Sequence, residues 1–230
     1  MSLYFILLLA SSGVPLALSF DKRLRFYKKW RFVLPAIIIV AAVYILFDIV
    51  FTRHGIWGFN PRYLSGITLL NLPLEEILFF FAIPYASLFL HDSFVEYFPK
   101  TRLNSRSTQF ITIIFIILSL GLAFFNTEKV YTFYISLKVF VVLLLSLFDK
   151  SRVIQRFLVT FLLILVPFVI VNGILTGTGI EQEVVWYNNS ENLGIRVFTI
   201  PVEDFGYAFS LILFNLLLIE KFQNTFNKQR

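Results

Sequence analysis

The chain has 230 residues, of which 58% are hydrophobic and only 15% charged, and its mean hydropathy is +0.80. In a soluble domain about a quarter of the residues are charged, so this composition indicates an integral membrane protein. The chain has no cysteine, which excludes disulfides, thiolate metal sites and cysteine nucleophiles. Its two histidines are isolated, and no Gly-x-Gly-x-x-Gly motif occurs. We therefore expect neither a metal nor a nucleotide cofactor.

Seven apolar segments are long enough to cross a membrane, which takes a helix of about 20 residues. They lie at approximately residues 2–20, 31–51, 67–92, 108–125, 131–148, 157–175 and 198–220. The first has no basic region before it and no small-x-small cleavage site after it, so we expect a retained helix and not a signal peptide. The sequence thus predicts an all-α, multi-pass protein of the cell (inner) membrane.

Basic residues predict the orientation of the chain in the membrane. Most of the 20 Lys and Arg residues follow spans 1, 3 and 5 or lie in the C-terminal tail. By the positive-inside rule the N-terminus is outside and the C-terminus cytoplasmic. This distribution, with contact to anionic lipid, also explains the net charge of +6, so we expect no nucleic-acid partner. The longest outer loop, 176–197, is either a lid over a site or a solvated connector.

One motif occurs twice, 128 residues apart, within 71–94 and 199–222. Each copy reads Pro-x-acid-acid followed by a long apolar run, and the matched residues are Pro73 and Pro201, Glu75 and Glu203, and Glu76 and Asp204. Spans 1–3 correspond to spans 5–7, and span 4 restores the direction that three spans reverse. The sequence therefore predicts a 3+1+3 parallel duplicated repeat, with halves at 1–100 and 129–230 and span 4 in a linker at 101–128.

The duplicated acids are the candidate catalytic residues. A charged side chain at the centre of a membrane helix costs about 2.5–3.5 kcal/mol on insertion scales, so it is a functional candidate by default. Neighbours on a helix point about 100° apart, so a paired site needs one acid from each repeat, for example Glu75 with Glu203. Two close carboxyls in a low dielectric cannot both ionise easily, which places a proton donor beside an acceptor. Alternatively, all four acids are interfacial caps.

Five other residues are candidates for supporting roles. Pro73 and Pro201 either begin a helix or kink a longer one. Asp48 and Asn172 lie towards the outer ends of spans 2 and 6, although not in strict register, and either orient an acid or bond a nearby backbone group. Lys138 lies about two turns into span 5. It stabilises a nearby carboxylate, forms a Schiff base, or reaches back to the interface.

Pro-Leu-Glu-Glu at 73–76 and Pro-Val-Glu-Asp at 201–204 each head an aromatic-rich span, and the duplicated chain resembles the lycopene cyclase domain family in its fused form. These are flavin-independent carotenoid cyclases. The resemblance covers essentially the whole chain and implies redox-neutral closure of the linear ends of lycopene, or a related carotenoid, to β-ionone rings without a cofactor. It also implies that the motif residues carry acid–base chemistry. We interpret Glu75 and Glu203 as the central pair, with Glu76 and Asp204 assisting.

Other classes of protein fit parts of the pattern. A 3+1+3 parallel repeat is also the architecture of small sugar transporters of the SWEET type, so a small-solute or proton-coupled transporter is the main alternative. The acids cluster near one leaflet, however, and no matched polar pathway runs through the spans. A retinal protein is disfavoured because the last span lacks a buried lysine. A purely structural subunit remains open, as does the oligomeric state.

Overall fold

The computed structural model describes residues 2–228, with side chains through residue 226. The described chain contains seven α-helices: α1 Leu3–Leu18, α2 Trp30–Arg53, α3 Leu74–Tyr97, α4 Ser105–Phe125, α5 Val130–Leu147, α6 Ile154–Leu175 and α7 Val202–Lys228. Six short strands lie in the connections that follow α2 and α6: β1 Trp57–Phe59, β2 Thr68–Leu69, β3 Leu72–Pro73, β4 Val185–Tyr187, β5 Arg196–Val197 and β6 Ile200–Pro201.

Helices α2 to α7 are each long and apolar enough to cross a membrane. Helix α1 is equally apolar but has 16 residues, a length of about 24 Å against a hydrocarbon core of about 30 Å. The all-helical, multi-pass prediction is therefore confirmed for six helices, while a crossing by α1 stays a prediction. The orientation of the chain also stays a prediction.

The predicted starts of spans 3 and 7 are wrong by several residues. We expected helix from 67 and from 198, but the chain forms the hairpins β2–β3 and β5–β6 there, and the helices begin only at Leu74 and Val202. Leu70 and Phe198 have φ of 52° and 56°, in the left-handed region that helices exclude. A proline then ends each hairpin and begins the next helix. Apolar composition alone does not separate such a hairpin from the helix that follows it.

The two hairpins have the same construction. The N–H of Leu74 donates to the carbonyl of Ile67 at 2.9 Å, and the N–H of Val202 donates to that of Ile195 at 3.0 Å. Each hairpin pairs two residues with two. Elements α1–α3 and α5–α7 also follow one another in the same order, with α4 between them. The two copies of the motif are therefore presented by the same local structure.

Strands β1 and β4, one from each half, form an antiparallel ribbon centred on Gly58 opposite Trp186. The hydrogen bonds that flank it are reciprocal: Asn60 N–H donates to Val184 O and Asn188 N–H to Ile56 O, both at 2.9 Å. A twofold rotation through the ribbon exchanges these partners. This reciprocity supports the 3+1+3 parallel repeat, which as a whole remains a prediction together with its axis and the domain boundaries.

Aromatic rings pack beneath this ribbon. The Trp57 ring lies 5.7 Å from Phe51, 5.3 Å from Tyr131 and 6.0 Å from Tyr207. These rings belong to the core formed by α2, α5 and α7, and they join the ribbon to the helices beneath it. Buried aromatic pairs add about 0.5–1.5 kcal/mol each beyond their area, so the position of the ribbon is well determined.

The close approach at the centre of the ribbon yields a prediction. A Cβ atom at Gly58 would lie 2.2 Å from the Trp186 ring, so Gly58→Ala forces that ring to move. Overpacking costs about 1–3 kcal/mol. We expect the melting temperature in detergent to fall by about 2–4 °C per kcal/mol for a chain of this size.

The control is the same substitution in a Trp186→Ala background, where the ring is absent. There Gly58→Ala should have little effect, because the contact that opposes it has been removed. Equal losses of melting temperature in the two backgrounds would show that the ring contact does not limit this position.

Candidate functional site

The four acids lie in the first turns of α3 and α7. Pro73 is the N-cap of α3, with φ −60° and ψ 146°, and Pro201 ends β6 immediately before α7. The first interpretation of the prolines therefore holds: each precedes the start of a helix. The unpaired N–H groups and the dipole of a helix N-terminus are complementary to carboxylates, which accounts for two acids in each first turn.

The first acid of each pair binds the loop before it. Glu75 Oε1 accepts from the Ser65 N–H at 2.6 Å and from the Ser2 hydroxyl at 2.7 Å. In the second copy Glu203 Oε1 accepts from the Leu193 N–H at 2.7 Å, and it also accepts from the hydroxyl of Thr132 at 2.6 Å. Both carboxyls are buried. They join the loop, the hairpin and a neighbouring helix into one unit.

The second acid of each pair points into the bundle, where a tyrosine donates to it. Glu76 Oε2 accepts from the Tyr4 hydroxyl at 2.6 Å, and Asp204 Oδ1 accepts from the Tyr131 hydroxyl at 2.5 Å. Tyr4 lies on α1 and Tyr131 on α5, so each half contributes one acid and one tyrosine from corresponding helices. All four side chains are buried.

The remaining partners of the second acids differ between the halves. Asp204 Oδ2 accepts from Asn172 Nδ2 at 2.7 Å and from the Tyr187 hydroxyl at 2.9 Å. Burial and the neighbouring Asp204 charge raise the pKa of Tyr187, so this phenol stays protonated and remains a donor. Glu76 instead lies beside the carboxyl of Asp48. Asp48 Oδ2 has no donor among the described residues, and two neighbouring carboxyls form a hydrogen bond only when one of them holds a proton.

Backbone hydrogen bonds show that Asp48 and Asn172 are equivalent positions. The Ile56 N–H donates to Phe51 O at 3.0 Å, and the Val184 N–H donates to Leu175 O at 2.8 Å. These bonds match the end of α2 with the end of α6, and Asp48 and Asn172 each lie three residues before the accepting residue. The equivalence left open by the sequence register therefore holds, and both residues contact the acid of their own half.

A cavity of about 520 Å³ brings the second acids together. Glu76 and Asp204 both line it, along with Trp57 and Tyr187 from the ribbon, and its wall is otherwise mainly apolar. Its volume lies within the range of about 300–1,000 Å³ usual for small-molecule sites. The side chains of Glu75 and Glu203 are not part of the lining.

The cavity opens sideways, between α1 and α6. Its lining includes Val14 on α1 and Ile170 on α6, which are 63% and 60% exposed, and Pro167, which is also exposed. These residues belong to apolar helix surfaces, so the opening faces the part of the protein that lipid surrounds. The loop at 176–197 contributes Val185 and Tyr187 to the lining, which agrees better with a lid than with a simple connector.

Lys138, the last of the predicted supporting residues, does not line this cavity. Its ammonium nitrogen is buried and has no hydrogen-bond partner within the described part of the chain. A second cavity, of about 720 Å³, lies at the other end of the bundle among Lys29, His91, Asp92 and Glu220, and it contains neither acid pair.

Sequence reasoning missed the tyrosines that hold the acids. Tyr4 and Tyr131 recur one residue out of the 128-residue register, which was a usable signal. Tyr187 and Tyr207 had no such signal, because Phe59 and Phe79 stand at the corresponding places. Tyr207 donates to Asp48 Oδ1 at 3.0 Å.

This fold and site define a multi-pass membrane protein with a laterally open, apolar cavity and one carboxyl from each repeat. The family model described as lycopene cyclase matches the chain twice, over residues 1–94 and 128–222. The chain therefore belongs to the lycopene cyclase family, in the fused two-repeat form. At the level of this family it is a carotenoid cyclase that acts on a carotenoid at a membrane. Neither the curated proteins nor the solved structures include a match to it.

The contacts of Glu203 predict a structural role that separates it from Asp204. Glu203→Ala leaves the Leu193 N–H and the buried Thr132 hydroxyl without their acceptor, which should cost about 1–3 kcal/mol. We expect a fall of several degrees in the melting temperature measured in detergent. Glu203→Gln keeps an Oε1 acceptor in the same place and should lose much less. Equal losses for the two variants would mean that these hydrogen bonds contribute little.

Proposed function

We propose that this protein is a lycopene β-cyclase, which closes the linear ends of lycopene to β-ionone rings in the cell (inner) membrane. The observation that carries the proposal is that Glu76 and Asp204, one from each repeat, line the same apolar cavity. The predicted pair Glu75 and Glu203 binds the loops instead. We therefore assign the central acid–base roles to Glu76 and Asp204, with Glu75 and Glu203 as positioning residues.

The proposed acid is the pair of neighbouring carboxyls Asp48 and Glu76, to which we assign one proton between them. A proton passes from Glu76 to the terminal double bond of the substrate and leaves a tertiary carbocation. The internal alkene attacks this cation, which forms the ring bond and moves the positive charge into the ring. Asp48 does not line the cavity, so its part is to hold the proton at Glu76.

Asp204 is the proposed base. Three donors, Tyr131, Asn172 and Tyr187, contact its two oxygens, an arrangement that stabilises a carboxylate. Loss of a ring proton to Asp204 forms the double bond of the β-ionone ring. One proton enters the substrate and one leaves it, so the reaction is an isomerisation that needs no oxidant or reductant. The faces of the Trp57 and Tyr187 rings in the cavity wall stabilise the transient carbocation by cation–π attraction.

Substitutions of the four acids test these roles in cells that accumulate lycopene. We expect Glu76→Gln and Asp204→Asn to lower ring formation by about 100-fold or more, since general acid–base groups contribute about 10²–10⁴-fold. Glu75→Gln and Glu203→Gln keep an acceptor for the loop N–H and should have much smaller effects. Carotenoid chromatography, normalised to protein in the membrane, measures the products.

The reverse pattern, with Glu75→Gln and Glu203→Gln inactive and the other two active, would return the central roles to the pair favoured by the sequence. Unchanged lycopene with the native protein present in the membrane would reject the β-cyclase proposal, and uptake assays for a small solute would then follow.

Solvent isotope labelling tests the proton balance. In D₂O the proposed acid carries deuterium, which is added at the former terminal double bond, while the proton lost comes from the substrate. Each ring should therefore raise the mass of the carotene by one unit, without added flavin, nicotinamide or reductant. Mass spectrometry of the monocyclic and bicyclic products measures this increase. Rings formed without deuterium would contradict initiation by an exchangeable acid.

A further inference from the structure

The open cavity lies between the two halves of the chain. Leu7 and Ser11 of α1 and Phe79 of α3 line it from the first half, and Phe168 and Val171 of α6 line it from the second. Since the ribbon relates the halves by a twofold rotation, every one of these residues has a counterpart in the half to which it does not belong. The counterparts show what stands in place of a second cavity.

The hydrogen bonds to the acids give the register of α1 against α5. Tyr131 donates to Asp204 as Tyr4 donates to Glu76, so Tyr131 corresponds to Tyr4. Counting along the two helices from these tyrosines makes Tyr134 the counterpart of Leu7 and Lys138 the counterpart of Ser11. Ser11, a small hydroxyl side chain in the cavity wall, therefore has a lysine as its counterpart.

The remaining counterparts are aromatic. Phe51 corresponds to Leu175 through the two backbone bonds at the ends of α2 and α6. In this register Phe47 is the counterpart of Val171, and Tyr44 is the counterpart of Phe168. In the register set by the acids, Tyr207 is the counterpart of Phe79. Leu175 and Val171, two aliphatic side chains of the cavity wall, therefore have phenylalanines as their counterparts.

These counterparts enclose the lysine ammonium. Lys138 Nζ lies 4.4 Å from the centre of the Tyr44 ring and 4.3 Å from that of Phe47. It lies 5.6 Å from the Phe51 ring and 4.8 Å from the Tyr207 ring. The faces of aromatic rings attract cations. The ammonium therefore fills the space with a charge that the rings stabilise.

We propose that this chain has a single polyene cavity, between α1, α3, α6 and α7, and that Lys138 and its aromatic cage close the twofold-related place between α5, α2 and α7. The proposal rests on the function proposed above, in which the open cavity receives one end of a linear carotenoid. It follows that the two ends of one substrate enter the same cavity in succession, and that the monocyclic product is released between the two ring closures.

Carotenoid binding tests the number of cavities. Purified protein in nanodiscs of phosphatidylcholine and phosphatidylglycerol is incubated with lycopene and recovered, and total carotenoid is extracted and compared with empty discs. We expect saturation at one carotenoid per native chain. Ser11→Phe and, as a second variant of smaller volume, Ser11→Met fill the open cavity and should lower bound carotenoid about tenfold or more.

The matched control is Val141→Phe. Val141 corresponds to Val14, a lining residue of the open cavity, but it lies on α5, the helix that carries Lys138. The same kind of enlargement there should leave one carotenoid bound. Binding of two carotenoids by the native chain, retention of about half by both Ser11 variants, or no saturable binding above empty discs would overturn the proposal.

Total carotenoid is counted whether or not rings form, so this experiment is independent of the reaction. One lycopene bound per chain without any cyclic product would reject the proposed activity and support the single cavity. Cyclic products from a chain that binds two carotenoids would support the proposed activity and reject the single cavity.

Discussion

The hydrogen bond from a loop N–H to the first acid of each motif determines the geometry of the site. Ser65 donates to Glu75, and Leu193 donates to Glu203. Adjacent residues on a helix diverge by about 100°, so fixing the first acid in the loop turns the second towards the bundle interior. This explains why two consecutive acids recur: one anchors the start of the helix, and the other is presented to the cavity. A single acid could not do both.

The two halves share equivalent backbone elements but differ in the polar side chains around their acids. The ribbon β1–β4 and the paired tyrosines are equivalent in the two halves. Asn172, however, has an amide where its counterpart Asp48 has a carboxyl. Tyr187 likewise stands where the first half has Phe59. One acid thus receives three donors, and the other faces a second carboxyl. Duplication alone would give two identical carboxyls; these few substitutions are what separate the proposed proton donor from the proposed proton acceptor.

The sequence contained the spans, the duplication and the four acids, because hydropathy and the Pro-x-acid-acid motif are local patterns. It did not distinguish Glu75 from Glu76, since the choice depends on a loop N–H ten residues earlier that no local pattern identifies. The offset between Asp48 and Asn172 was equally hidden, because the connections at each end of α2 and α6 differ in length. Closure of the second, twofold-related place depends on where Lys138 of α5 meets the rings of α2 and α7, which is a property of the packing alone.

The apolar wall of the cavity and its opening towards lipid both keep water away from the proposed reaction. A tertiary carbocation is captured by water, so the chemistry needs a site from which water is excluded. The wall is mainly apolar, and the tyrosine and asparagine donors engage the carboxyl oxygens directly, without an intervening water. A lateral opening between α1 and α6 faces lipid, in which a polyene is already dissolved. In the proposed reaction the substrate therefore reaches the carboxyls without crossing water, and the opening that admits it also keeps water away from the cation.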